Sequence, residues 1–403
     1  MMVGVIGTQI PADAFIVPPT TAPATDQSVP TIVDQPLDAY RLQLLDLAYD
    51  TASAMPLTPF IKDRSRAQES VAQACFALQQ PQRALKCIEG IANWERGAGY
   101  ADFAFYSVQH GDARDVQRFL DMARQIASAE EDWRRDVVLI KVAKTLELLG
   151  QSQQAAELEN GMVDAEVGKL EVVRAGRIDD ADFDKQFGGL SETLASGIFD
   201  RMRNALDACL VLLDRFYDDQ SRRELMLKRT NFYANQMPPS IRIDLQEKIA
   251  ECAIKHGDQS TVATSLKEVQ YLVEHYGWLP ESRVPLLARV SRLQAMAGDK
   301  DAARKSADAA FAMFNAESER IENFDRADAL RPIAEAYLIL GDSAVALATY
   351  KRAVAEGAIN PNARPRADDL TATCISMAKC GVEPDAELWV SLRQIRDGLV
   401  DPW

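Results

Sequence analysis

Residues 326–357 read RADALRPIAEAYLILGDSAVALATYKRAVAEG. Gly341 divides the stretch, and glycine accepts the left-handed backbone conformation that ends a helix. Asp342 follows, a residue whose side-chain oxygen caps the free amides of a helix start. Small residues flank the turn: Ala334 seven positions before it and Ala346 five after it. Two antiparallel helices approach closely only where the side chains at their crossing are small. The stretch therefore predicts a helix–turn–helix unit.

The same unit recurs along the chain, with its turn at Gly111, Gly150, Gly257, Gly298, Gly341 and Gly381, and Gln79 in the glycine position of the first unit. Aspartate follows the glycine at Asp112, Asp258, Asp299 and Asp342, while Pro81 and Pro384 stand just past their turns. A first-turn proline costs a helix little. Seven residues before the turn come Ala72, Ala104, Ala143, Ala250, Ser291, Ala334 and Cys374. Five after it come Ala84, Val116, Ala155, Val262, Ala303, Ala346 and Ala386. Val71, Phe103, Val142, Ile249, Val290, Ile333 and Thr373, eight before it, are mostly large and apolar and are expected to face the neighbouring unit. Adjoining turns lie 32, 39, 41, 43 and 40 residues apart, and only the 107-residue gap from Gly150 to Gly257 breaks the rhythm.

These residues resemble the tetratricopeptide family and its looser bacterial relatives. The pattern of small residue, Tyr, Gly, Ala, aromatic and Ala is met by Ala334, Tyr337, Gly341, Ala346, Tyr350 and Ala353. The other units keep the small–Gly–small skeleton and mostly lose the aromatic positions. The likeness covers roughly residues 60–175 and 238–400. It implies an all-α fold, a right-handed α-solenoid of antiparallel helix pairs acting as a protein-interaction scaffold.

Fifteen residues before each turn stands an arginine: Arg64, Arg96, Arg135, Arg242, Arg283, Arg326 and Arg366. Aromatic rings precede three of them by two residues, at Trp94, Trp133 and Phe324. An arginine at the start of a helix opposes that helix's dipole, so it requires compensation from preceding carbonyls or nearby acids. Two readings follow. The column is a clasp between successive units, or it is a ladder presented to an acidic peptide or phosphate groups.

Around the repeats the chain divides into a Pro/Thr-rich tail (1–36), N-terminal repeats (37–178), an irregular helical insertion or degenerate repeats (179–237) and C-terminal repeats (238–403). Leu37, Tyr40, Leu44, Leu47 and Ala48 fall at helical spacing and predict a first amphipathic helix. Within the irregular part, a polar loop near 177–189 precedes a long apolar helix over 190–217 and another over 221–235. Eight of the 18 prolines fall in the first 59 residues, and none lies between Pro81 and Pro238, which fits helices.

Composition narrows function by exclusion. Forty-five basic against 60 acidic residues give a net charge of −15, unfavourable for nucleic acid or an anionic membrane. No apolar run approaches the length of a transmembrane segment. Three histidines (His110, His256 and His275) leave little for zinc or a nucleophile–histidine pair. His110 and His256 precede glycines, where they are read as caps of helix ends. The six cysteines lack CxxC spacing and read as buried thiols. Asp180, Asp182 and Asp184 imitate a calcium loop, but Lys185 and Ser191 occupy its glycine and glutamate positions. Asp218–Asp219 and Glu130–Asp132 read as exposed charge rather than paired catalytic acids.

The expectation is a non-catalytic scaffold or adaptor, without cofactor or metal, binding a neutral or basic protein or peptide partner. The alternative is an all-α enzyme with a site in the concave face or in 177–237. A cytoplasmic location is expected. If 1–7 is the remnant of a signal peptide, the location is periplasmic or secreted instead.

Overall fold

The computed structural model describes residues 32–162 and 164–403, and among these it contains helices and turns but no strand. The helices are α1 (Ala39–Ala54), α2 (Leu57–Ala77), α3 (Pro81–Glu89), α4 (Glu95–Gln109), α5 (Val116–Ala127), α6 (Trp133–Leu148) and α7 (Ser152–Glu159). The middle of the chain holds α8 (Asp164–Val167), α9 (Glu171–Ala175), α10 (Phe183–Ala195), α11 (Phe199–Arg215) and α12 (Gln220–Ala234). The C-terminal series is α13 (Pro239–Lys255), α14 (Gln259–His275), α15 (Pro280–Met296), α16 (Lys300–Glu317), α17 (Asn323–Ile339), α18 (Ser343–Ala358), α19 (Ala363–Cys380) and α20 (Ala386–Asp397).

All seven turn positions adopt positive φ, Gln79 at 55° among them. At each, the amide of the next residue donates to the carbonyl four residues before the turn. Gln80 donates to Cys75, Asp112 to Ser107, Gln151 to Leu146, Asp258 to Ala253, Asp299 to Gln294, Asp342 to Tyr337 and Val382 to Met377. This is the bond of a Schellman cap, and it requires the left-handed residue. One local chemistry thus ends the first helix of every unit. The start of the second helix varies more. Asp258 and Asp299 accept from backbone amides as expected. Asp342 instead pairs with Arg304, and Asp112 accepts from Ile32 and Arg114.

The small-residue columns are buried throughout, except Ala386, which is exposed. In that last unit α20 begins five residues after the turn, capped by Asp385, so the register slips and Leu388 becomes the buried residue. Pro384 accordingly lies before the helix, whereas Pro81 occupies the first turn of α3. The apolar stretch 190–217 is two helices, not one. Gly197, at φ 71°, breaks it between α10 and α11. Residues 32–35, read as tail, are fixed to the first turns. Ile32 donates to Asp112, Gln35 to the Gln79 carbonyl (3.0 Å), and Gln82 to Asp34 (2.7 Å). The rest of the tail lies outside the described residues.

The described residues divide into two compact units, 32–35 with 75–238 and 36–74 with 239–403. This division differs from the segments read along the sequence, because the first helices join the last repeats. In the first unit α4 packs on α5 and on α6, and α6 on α7. In the second, α13 packs on α14, α15 on α16 and α17, and α17 on α18 and α19. In these series α4, α13, α15 and α17 each meet both their own partner and the next first helix, the arrangement of stacked helix pairs. Phe314, Leu330, Ile333 and Tyr337 form one continuous core between pairs. At the end of this stack α1 packs along α19. Arg41 donates to the Ala378 carbonyl (2.6 Å) and Thr371 to that of Ala48 (3.5 Å). Ala52, Met55, Ala67, Ala363, Ala367 and Leu399 close a small core there.

Candidate functional site

Each column arginine lies near the start of a first helix, and the structure gives different partners to five of the seven. Arg64 donates to the Met55 carbonyl (2.9 Å) at the end of α1. Arg326 donates to the Ile321 carbonyl (3.0 Å) and to Glu356 on α18 (3.4 Å). Arg366 donates to the carbonyls of Asn360 (2.9 Å), Pro361 (3.1 Å) and Gly398 (3.2 Å). Arg242 pairs with Glu268 on α14 and reaches the Tyr276 hydroxyl (3.4 Å), while Arg135 pairs with Asp136 (3.1 Å). The Nε atoms of Arg64, Arg96 and Arg283 are buried without a hydrogen bond among the described residues. The associated rings do not act alike. Trp94 and Trp133 meet edge to face at 5.4 Å, whereas Phe324 is exposed.

A second set of ion pairs links successive first helices, and sequence reasoning missed it. Lys141 on α6 meets Asp102 on α4 (2.7 Å). Arg289 on α15 meets Glu247 (2.5 Å) and Asp244 (2.5 Å) on α13, and Arg292 meets Glu251 (2.7 Å). Arg331 on α17 meets Asp369 on α19 (3.5 Å). Asp102, Lys141, Glu247, Arg289 and Arg331 all stand nine or ten residues before their turns. Opposite charge at the same repeat position, nine before the turn, was the available signal for Asp102 and Lys141. Burial pushes the Glu247 carboxyl up, against the pull of Arg289. Burial likewise raises Asp369 to about 6, with Arg331 opposing.

In the second unit α18 and α20 bound an open cleft of about 600 Å³. Val354, Leu388 and Ile395 supply apolar walls, while Lys351, Arg366 and Ser391 supply polar groups. The cleft is ligand-sized and mixes apolar surface with a few polar groups, as binding clefts do. Lys351 is tied to Asp385 (2.7 Å) and Glu387 (2.6 Å). Glu387 remains 80% exposed and stands at this rim beside Lys351 and Arg366. Arg366 is the one column arginine among the cleft's lining residues.

The acids set aside from the sequence serve helices. Asp132 and Asp219 cap α6 and α12, and Glu130 pairs with Arg134. Asp180 pairs with Arg222 (2.7 Å), whose guanidinium lies over the rings of Phe183 and Phe216. His110 and His275 stack on Tyr106 and Tyr271 and bond the carbonyls of those residues, at 2.8 and 3.0 Å. Among the described residues, no helix is long and apolar enough to cross a membrane. Comparison with protein-family models, with curated proteins and with solved structures finds no match to this chain.

Proposed function

We propose that the chain is a non-catalytic, tetratricopeptide-like scaffold whose helix pairs form a right-handed stack, and that it binds a neutral or basic peptide segment of a partner protein in the α18–α20 cleft. The observation that carries this reading is the cleft itself. It is open, apolar-walled and polar-rimmed, and it lies between the second helices of consecutive pairs. The net charge of −15 supports a partner that is not acidic. In the same reading the column arginines are clasps, since three of them donate to carbonyls at junctions between helices. The location proposed is the cytoplasm.

The competing reading, an all-α enzyme, has one observation in its favour. Asp369, held at about 6, borders a small cavity that shares Val354, Arg366 and Ile395 with the cleft. That carboxylate is already engaged by Arg331 (3.5 Å) and by Asn360 (3.4 Å), which favours a structural role.

Benzoylphenylalanine placed at Ser391, in cells of the source organism, tests the scaffold reading. Illumination is expected to yield discrete adducts to partner peptides, which the same probe at Asp301 on α16 does not give. Equal labelling at both positions, or none at Ser391, overturns the reading.

A further inference from the structure

We propose that the turn edge of the first two repeats is a peptide-binding site, which the chain's own residues 32–35 occupy and from which an extended apolar–x–Asp segment of a partner protein displaces them. The site lies in the first compact unit and is separate from the cleft, whose residues belong to the second. Residues 32–35 are neither helix nor turn, and their exposure alternates: Ile32 and Asp34 are half-buried, Val33 and Gln35 exposed. This is the pattern of an extended segment laid against a surface, with every second side chain facing it. Its main chain is held at both ends. The Ile32 amide donates to Asp112 (3.1 Å), and the Ile32 carbonyl accepts from the Gln82 side chain (3.0 Å). The Gln35 amide donates to the Gln79 carbonyl (3.0 Å), and the Gln35 carbonyl accepts from the Gln80 side chain (2.6 Å). Between them the Asp34 carboxylate accepts from the Gln82 amide (2.7 Å). That amide lies in the first turn of α3, whose own N-cap, Gln80, makes no side-chain capping bond. Asp34 therefore caps α3 from outside the helix, at the end where a negative charge is favoured.

The site is rigid and its occupant is lightly held. Gln79 is fixed by the left-handed turn at φ 55°, the Gln80 side chain is buried, and Arg114 grips both oxygens of Asp112 (2.9 and 2.7 Å). Helices and turns set these groups, not residues 32–35. The bonds from Gln82 to Asp34 and to Ile32, by contrast, are solvent-exposed, and so is Val33. Exposed hydrogen bonds open locally at low cost in free energy. A preformed site with such a ligand permits exchange. The class of ligand follows from what is read. The backbone bonds require an extended main chain and no particular side chain. The two half-buried positions require an apolar residue and, two residues on, a carboxylate for the α3 amide. That carboxylate meets a helix N-terminus, so the net charge of −15 does not bar it. The tethered segment competes at high effective concentration, which keeps the site closed to weaker ligands.

The test uses the full chain carrying Asp34→Lys, with Asp34→Ala as a second variant, each checked for native helical content. A lysine there meets the positive end of α3, so the chain's own segment is expected to leave. A fluorescein-labelled peptide of residues 31–37, TIVDQPL, is titrated into both variants and into the parent. Saturable binding to the variants is expected, and binding about tenfold or more weaker to the parent, where the tethered segment competes. The peptide TIVAQPL, lacking the capping carboxylate, is expected to bind the variants about tenfold or more weakly than TIVDQPL. Bound TIVDQPL is expected to slow hydrogen exchange at the start of α3. Absence of saturable binding, equal binding of the two peptides, equal affinity for parent and variants, or protection elsewhere than α3 overturns the proposal. So does a concentration-dependent dimer of the parent that Asp34→Ala abolishes, since the displacing segment would then be that of a second copy.

Discussion

The left-handed turn residue sets the end of each first helix, and its chemistry can be tested one position at a time. Gly341 sits at φ 83°, so Gly341→Ala is expected to cost about 1–2 kcal/mol, measured by urea unfolding. Gln79 offers the reverse change. Gln79→Gly is expected to stabilise the chain by about 1 kcal/mol, and an unchanged midpoint would remove the argument for strain there. Arg326 differs in kind, because its Nε–H bonds a junction carbonyl. Arg326→Ala is expected to lower stability by about 1–3 kcal/mol without weakening partner capture. Unchanged melting with lost capture would instead make the column a ligand ladder. The turn residues were legible in the sequence, since glycine is the residue that tolerates this conformation, and Gln79 was found by register alone. The arginine partners were not legible. A long flexible side chain reaches a carbonyl at Arg64 and a carboxylate at Arg242 from the same repeat position.

Pairs of helices carry the polar contacts that hold one repeat to the next. Asp369 on α19 is the most readily measured of these. Its folded-state carboxyl, raised by burial from the usual 3.8 to about 6, binds a proton more tightly than it does in the unfolded chain. Its contribution is therefore favourable at acid pH and is lost as pH rises from about 4 through about 6. Desolvation also raises Asp368, to about 7, so Asp369→Asn is expected to reduce the slope of stability over that window, not to abolish it, in urea titrations at several pH values; a profile matching the parent would exclude Asp369 as a source. The sequence showed these elements unevenly. Apolar periodicity runs on across Gly197, so α10 and α11 read as one helix until the backbone at that glycine is seen. Likewise Ala386 fits its column by count, yet the delayed start of α20 leaves it exposed. Periodicity reports which residues share a face, but not where a helix starts. The cleft was invisible for a related reason, since it depends on the gap left between α18 and α20.

At the scale of the molecule, the second compact unit joins chain ends that the sequence order keeps apart. Nothing in the spacing of Leu44 or Ala48 says that their helix belongs beside α19, more than 300 residues away. Removing residues 1–55 is expected to lower the unfolding midpoint of that unit and to release α19 amides to hydrogen exchange. Retained protection in α19 would show that the contact contributes little. The same seating of α1 on α19 bears on synthesis. A ribosome makes α1 long before α19, but the core formed by Ala52, Met55, Ala363, Ala367 and Leu399 cannot close until α19 and Leu399 have emerged. Local helix pairs can form as they are translated, while this long-range contact waits. Products that stop before α19 would leave Met55 and its neighbours uncovered, open to chaperones and proteases that a chain carrying α19 escapes.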